Sequence, residues 1–174
     1  MPTFVSYDRF VNTFREVAGG VEEQLLEQWL EQKKYTDTFL LPGTGVLPRI
    51  AARLGLEYQR EVGRVDAIFY APVDGNKSVS VAVEHEHIAA TTSQEMWSLS
   101  LLNVPLKVLI TYPNEGDERR LLDSYLQVFR AADIFNDFCD LRRQLVIFGC
   151  ADDSVTWRFY VYSGTGFTPF EVRK

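Results

Sequence analysis

The segments RVDAIFY at residues 64–70 and VSVAVEHEH at residues 79–87 decide the fold of this chain. Both are rich in β-branched or aromatic residues, and the turn sequence DGN lies between them at residues 74–76. Apolar runs of this length that are bounded by Gly, Asp and Asn are typical of neighbouring strands. The sequence therefore predicts two strands joined by a turn.

Acidic side chains lie within the first strand and at the end of the second. Because strand side chains alternate between faces, Glu84 and Glu86 share one face, whereas His85 and His87 point to the other. One ion therefore cannot collect all four side chains from a regular strand. If Glu84 and Glu86 lie close to Asp66 in an apolar sheet, the three carboxylates are costly to desolvate unless an ion or a basic group compensates their charge. Oxygen ligands favour hard cations, so we predict a Mg²⁺ or Mn²⁺ site at these three acids.

The same residues also have structural interpretations. The two glutamates could be solvated acids on an edge strand, but the apolar flank at residues 79–83 and the helix that follows favour a central strand. Asp66 could instead pair with Arg60 or Arg64. The two histidines are more typical of packed or partly exposed side chains than of a zinc site.

The segments around the two strands predict one α/β domain over residues 1–174. We expect a first helix that is capped by Ser6 and stopped at Gly19. Further elements are expected as helices at 21–34, 47–54, 91–102 and 118–132, and as strands at 56–62, 64–70, 78–86, 106–112, 144–151 and 156–163. The strand–helix–strand order over residues 78–112 predicts a right-handed crossover and parallel pairing, and the hairpins on either side predict a mixed sheet. The parts of the domain are a helical extension (1–43), a core motif region (44–113), and a C-terminal helix with strands (114–174).

This order of elements and acids resembles the core of the PD-(D/E)xK nuclease superfamily. The resemblance covers residues 44–113 and ends on the apolar strand LKVLITY. It implies a restriction-endonuclease-like core, flanked by helices, with a helical N-terminal extension. It also implies a metal held by Asp66, by Glu84 and by the backbone carbonyl of His85.

The sequence departs from the superfamily pattern at two positions. Val65 stands where a proline usually precedes the aspartate, and Glu86 stands where a lysine usually orients the attacking water. Some restriction endonucleases of this fold are similar in carrying E-x-E. There the second acid can bind a second metal or accept a proton from water.

Basic residues that could replace the lysine or meet phosphates are few. Lys77 is too far from Glu84 along the strand, and Lys107 on the next predicted strand is a weak substitute. Gln94 and Glu95 on the following helix could reach a substrate or a second metal, although a solvated face is the expected place for them. Candidate phosphate contacts are Arg49, Arg53, Arg60, Arg64, Arg142 and Arg143.

The composition limits the classes of function. The chain has 18 basic and 24 acidic residues, a net charge of −6, which opposes tight non-specific binding to DNA. No apolar run approaches the ~18 residues that a membrane span needs. Without a recognisable signal peptide, Cys139 and Cys150 are expected as free thiols in the cytoplasm.

These observations lead to a hypothesis with two rivals. The leading expectation is a Mg²⁺- or Mn²⁺-dependent nuclease that hydrolyses DNA phosphodiester bonds through Asp66, Glu84 and Glu86. The first rival is a catalytically inactive domain of the same fold that acts as a protein-binding or structural subunit, with a protein partner or a second copy of itself. The second rival is a hydrolase or binding protein for small ligands.

Overall fold

Helices come first along the chain, and strands dominate its middle and end. The computed structural model describes residues 4–132 and 143–172. The helices are α1 (Tyr7–Gly19), α2 (Glu22–Glu27), α3 (Gln32–Leu40), α4 (Val46–Arg53), α5 (Thr92–Ser100) and α6 (Glu118–Ala132). The strands are β1 (Glu57–Val62), β2 (Val65–Val73), β3 (Asn76–Glu86), β4 (Leu106–Thr111), β5 (Arg143–Ala151), β6 (Val155–Tyr162) and β7 (Phe167–Pro169). The predicted α/β class is confirmed.

The seven strands form one open mixed sheet in the order β1-β2-β3-β4-β5-β6-β7. β3, β4 and β5 pair in parallel, and the outer strands on both sides pair antiparallel. The parallel pairing of β3 and β4 around α5 was predicted from the strand–helix–strand order. Because the three central strands run in one direction, their carboxyl ends meet at one edge of the sheet.

The central strand β3 is covered on both faces. Val81 and Val83 pack with residues of α1, α3 and α4, whereas Ala82 packs with residues of α5 and α6 on the opposite face. Glu84 is only 3% exposed. The edge-strand interpretation of the two glutamates is therefore wrong.

The first helix begins and ends as predicted. The Ser6 side chain accepts a hydrogen bond from the backbone N–H of Arg9 at 3.2 Å, which satisfies one of the unpaired donors of the first turn. The ring of Phe14, on the buried face, packs edge-on against Trp157 at 4.9 Å. Helix α1 thereby anchors the N-terminal layer to the far side of the sheet.

The single helix predicted at residues 21–34 is wrong, because the chain breaks it into α2 and α3. Helix α2 ends at Glu27, and Lys33 and Lys34 lie in the first turn of α3. Leu30, between the two helices, is 93% exposed. The break lets the Trp29 ring pack edge-on against Tyr112 at 5.1 Å. A long-range aromatic contact thus overrides the local helical pattern.

Two further predictions concern membranes and thiols. Within residues 4–132 and 143–172, no helix is long and apolar enough to cross a membrane. Cys150 is a half-buried free thiol. Cys139 lies outside the described residues.

Candidate functional site

Asp66 and Glu84 lie side by side on adjacent strands. The pairing of Ala67 with Val83 places the two acids at the next position of the β2–β3 ladder, on the face that α5 covers. The backbone N–H of His85 donates to Asp66 Oδ2 at 2.8 Å, and the backbone N–H of Asp66 donates to Glu84 Oε2 at 3.3 Å. Each carboxylate thus leans across to the other strand.

Burial and mutual repulsion change the protonation of Glu84. Burial, followed by the charges of Asp66 and Glu95, raises the pKa of Glu84 from 4.5 to about 9. Its Oε1 atom is buried and has no hydrogen-bond partner in the described part of the chain. Burial also raises the pKa of Asp66, although the hydrogen bond from His85 opposes that rise. The site therefore favours protonated carboxyl groups in the absence of a compensating charge.

Glu95 on α5 joins this pair of acids. Burial and the charges of Glu86 and Asp66 raise its pKa, so its carboxyl group lies near both strands. Glu95 is half-buried, whereas Gln94 is exposed, as expected of a solvated face. A signal was present in the sequence, because Glu95 lies one helical turn from Thr92 and Leu99, both of which are buried.

Glu86 is the last residue of β3, and its side chain folds over the backbone that follows the strand. Its Oε1 accepts a hydrogen bond from the backbone N–H of Ile88 at 2.8 Å. The charge of Glu86 still raises the pKa of Asp66 and of Glu95. The residues predicted from the sequence and Glu95 therefore form one acidic group, called here the acid face: Asp66, Glu84, Glu86 and Glu95.

The donor set of the acid face fits Mg²⁺ or Mn²⁺ better than it fits a softer ion. All four side chains offer carboxylate oxygens, which hard divalent cations prefer. The Oε1 atom of Glu84 is buried without a hydrogen-bond partner among the described residues, and a cation there would compensate it. As the side chains stand, no group of three or more His, Cys, Asp or Glu residues within the described ranges is arranged to hold a metal ion. The side chain of Glu86 would have to leave Ile88 to join one.

Basic residues near the acid face are engaged elsewhere. Arg60 pairs with Asp37 at 3.8 Å and with Glu61 at 3.2 Å, and its charge only partly offsets the raised pKa of Asp66. Lys107 lies on β4 opposite Ala82 and is fully buried. It donates to the backbone carbonyl of Ser100 at the end of α5 at 3.5 Å.

Two of the other arginines considered for phosphate contacts have partners away from the acid face. Arg53 pairs with Glu16 at 2.5 Å, and the guanidinium of Arg143 lies 4.0 Å from the ring centre of Phe4. Arg142 lies outside the described residues.

The opposite face at the end of β3 is aromatic, as the strand alternation predicts. His85 is 6% exposed, and its Nε2 lies 2.7 Å from the hydroxyl of Tyr112. Its ring stacks on Phe39 at 4.4 Å. Burial lowers the pKa of His85 to about 3, so the imidazole is neutral. The packed-histidine interpretation is confirmed for this residue.

Comparison of the sequence with protein-family models and with curated proteins found no match in either case.

Proposed function

We propose that this chain is a divalent-metal-dependent nuclease of the PD-(D/E)xK type that hydrolyses DNA phosphodiester bonds. The observation that carries the proposal is the buried Glu84 carboxyl group, whose Oε1 has no partner within the described residues, beside Asp66 on the neighbouring strand. The element order also supports it, because antiparallel β1–β3 are followed by α5 and by parallel β4, the arrangement on which the resemblance depends.

Each acid has a proposed role that suits its position. Asp66 and Glu84, with the carbonyl of His85, would hold the cation. A bound Mg²⁺ or Mn²⁺ would offset the carboxylate charge and lower the pKa of a coordinated water. Glu86 is less buried than Glu84 and would accept a proton from the attacking water. Glu95 would add a further oxygen ligand from the helix side.

The second candidate is a catalytically inactive domain of the same fold that binds a protein partner or a second copy of itself. It is favoured by the net charge of −6 and by the engagement of Glu86 with Ile88. An acidic surface repels phosphates and lowers non-specific affinity for DNA. The two candidates differ in whether metal binding leads to cleavage.

Metal binding is tested by thermal unfolding. Millimolar Mn²⁺ or Mg²⁺ should raise Tm, because binding to the native state alone adds about 2.7 kcal/mol at a hundredfold excess over Kd. Glu84→Gln should abolish the shift while leaving the protein folded. Glu23→Gln, at an exposed carboxylate on α2, is the matched control and should keep the shift. An unchanged Tm in the native protein would contradict the proposed metal site.

Catalysis is tested on labelled single- and double-stranded DNA. The protein should nick or degrade DNA in the presence of Mn²⁺ or Mg²⁺, and this cleavage should stop when a chelator is added. Asp66→Ala and Glu84→Ala should each lower the rate by about 100-fold or more. Glu86→Lys should lower activity if Glu86 has taken over the role of the lysine, and raise it if Glu86 is a remnant. If the native protein and Glu86→Lys both bind metal but cleave neither DNA nor RNA, the inactive-domain candidate replaces the nuclease.

A further inference from the structure

A large cleft lies beyond the carboxyl ends of β3, β4 and β5, apart from the acid face. Its volume is about 720 Å³, within the range of small-ligand sites. His87 after β3, Tyr112 after β4 and Asp152 after β5 line it, together with Trp29 from the break between α2 and α3. The crevice outside the carboxyl ends of parallel strands is where open α/β sheets commonly bind ligands.

One wall of the cleft is aromatic and firmly packed. The rings of Trp29 and Tyr112 meet edge to face at 5.1 Å, and the His87 ring lies 5.4 Å from Tyr112. Tyr112 is 9% exposed, and its hydroxyl is engaged by His85. Gly149 makes room for this ring, since a Cβ there would lie 2.6 Å from a Tyr112 ring carbon. The wall is therefore held in place by contacts below it.

The cleft also carries negative charge. Glu118 is neutralised by an ion pair with Arg158 and accepts a hydrogen bond from Tyr160 at 2.8 Å. The exposed side chains of Glu115 and Asp152 have neither an ion pair nor a side-chain hydrogen bond in the described part of the chain. Three carboxylates against one guanidinium leave two uncompensated negative charges in the cleft. The cleft thus combines aromatic surface with an excess of carboxylates.

We propose that this cleft binds an organic cation that carries N–H donors, a guanidinium or an alkylammonium group. Its carbon chain or planar head lies against Trp29 and Tyr112, where cation–π attraction adds to burial. Its charge and N–H donors lie against Glu115 and Asp152. The same two carboxylates repel phosphates, so a nucleotide is disfavoured. The site is separate from the proposed nuclease function, because Tyr112 packs in the core on the opposite face of the sheet from the acid face.

Calorimetry and the indole N–H resonance of Trp29 test the proposal with three probes. Agmatine represents a free cation, N-acetylarginine amide represents an arginine side chain of a peptide, and N-acetylcitrulline amide is the neutral counterpart of the latter. One of the two cations should bind and shift the Trp29 resonance, and the tighter of the two identifies the source of the ligand. The neutral compound should bind about tenfold more weakly or worse.

Two variants test whether the cation binds in this cleft or at another acidic surface of the protein. The double variant Glu115→Gln/Asp152→Asn changes only exposed side chains and should weaken cation binding about tenfold, with Tm unchanged. Glu84→Gln on the acid face should leave it unchanged. The proposal is overturned if neither cation binds or shifts Trp29, if citrulline amide binds as tightly as arginine amide, or if the double variant binds normally. Loss of binding in Glu84→Gln would move the cation to the acid face and equally overturn it.

Discussion

The two faces at the carboxyl end of β3 respond to burial in opposite directions. On the acid face, burial raises the pKa of Glu84 to about 9, and on the aromatic face it lowers the pKa of His85 to about 3. Both shifts favour the neutral form, because a charge is costly in an apolar environment. The faces differ in their surroundings, since His85 stacks on Phe39 and its Nε2 meets the Tyr112 hydroxyl, whereas Glu84 lies beside the carboxylates of Asp66 and Glu95. Aromatic packing around a neutral ring is typical of structure, and repelling carboxylates in a buried place are typical of a binding site.

The opposite pKa shifts of Glu84 and His85 also determine how the free energy of unfolding depends on pH. A carboxyl group with a raised pKa stabilises the fold at low pH and loses that contribution as the pH rises. For Glu84 the loss extends from about 4.5, the ordinary value, to about 9. His85 acts in the other direction, because its contribution is present above 6.5 and is lost as the pH falls toward about 3. We therefore expect the free energy of unfolding to decline on both sides of the range between pH 4.5 and 6.5, where the two slopes oppose each other.

The largest effect is expected on the aromatic face from Gly149→Ala. A Cβ at this position would lie 2.6 Å from the Tyr112 ring and 2.7 Å from the Trp157 ring, so one buried ring must move. The free energy of unfolding should fall by about 3 kcal/mol, as in other overpacked cores. Urea unfolding measures it. Gly166→Ala, where nothing lies within 4 Å of the added atom, is the control and should change little. Equal effects at the two glycines would mean that the aromatic packing is looser than described.

An intermediate effect is expected on the acid face from Glu84→Gln. Removing an acid whose pKa is raised should increase the free energy of unfolding at pH 8.5 by about 2 kcal/mol without metal, since folding no longer requires this buried carboxyl group to bind a proton. It should also flatten the decline between pH 6.5 and 9. Asp66 and Glu95, whose pKa values are raised too, should retain part of that slope.

Glu86→Gln is the matched control for this measurement. Its side chain is less buried and already bonded to Ile88, so the stability at pH 8.5 should change by less than about 0.5 kcal/mol. If both variants gave the same alkaline slope as the native protein, repulsion within the acid face would not be the cause of the slope.

The smallest effect is expected from Tyr112→Phe. The substitution keeps the ring and removes the hydroxyl that meets His85 Nε2, so it should lower the free energy of unfolding at pH 7 by about 1 kcal/mol. Chemical unfolding at fixed pH measures it. Tyr160→Phe, at a half-buried hydroxyl that donates to Glu118, is a control of the same chemistry and should cost less. If Tyr112→Phe left the free energy of unfolding unchanged, the hydrogen bond to His85 would not stabilise the aromatic face.

Rules that depend only on residues close together in the sequence predicted much of this fold. The alternation of β3 separated the glutamates from the histidines, and Ser6 marked the start of α1, because each depends on neighbours in the chain. The predicted helix at 118–132 matches α6, and parallel pairing around α5 followed from connection rules. Strand β7 was not predicted, because its three residues are too few to show an alternation of apolar and polar side chains.

The rest was decided by contacts between residues far apart in sequence. Glu95 joins the acid face because α5 packs on β2 and β3, which helical periodicity alone does not specify. The break after Glu27 follows from the packing of Trp29 on Tyr112, some eighty positions along the chain. Gly149 is required where it stands because the Tyr112 ring crosses it on the adjacent strand. The sequence alone determined which side chains share a strand face, whereas only the tertiary structure decided which of them lack a partner, because partners come from other elements.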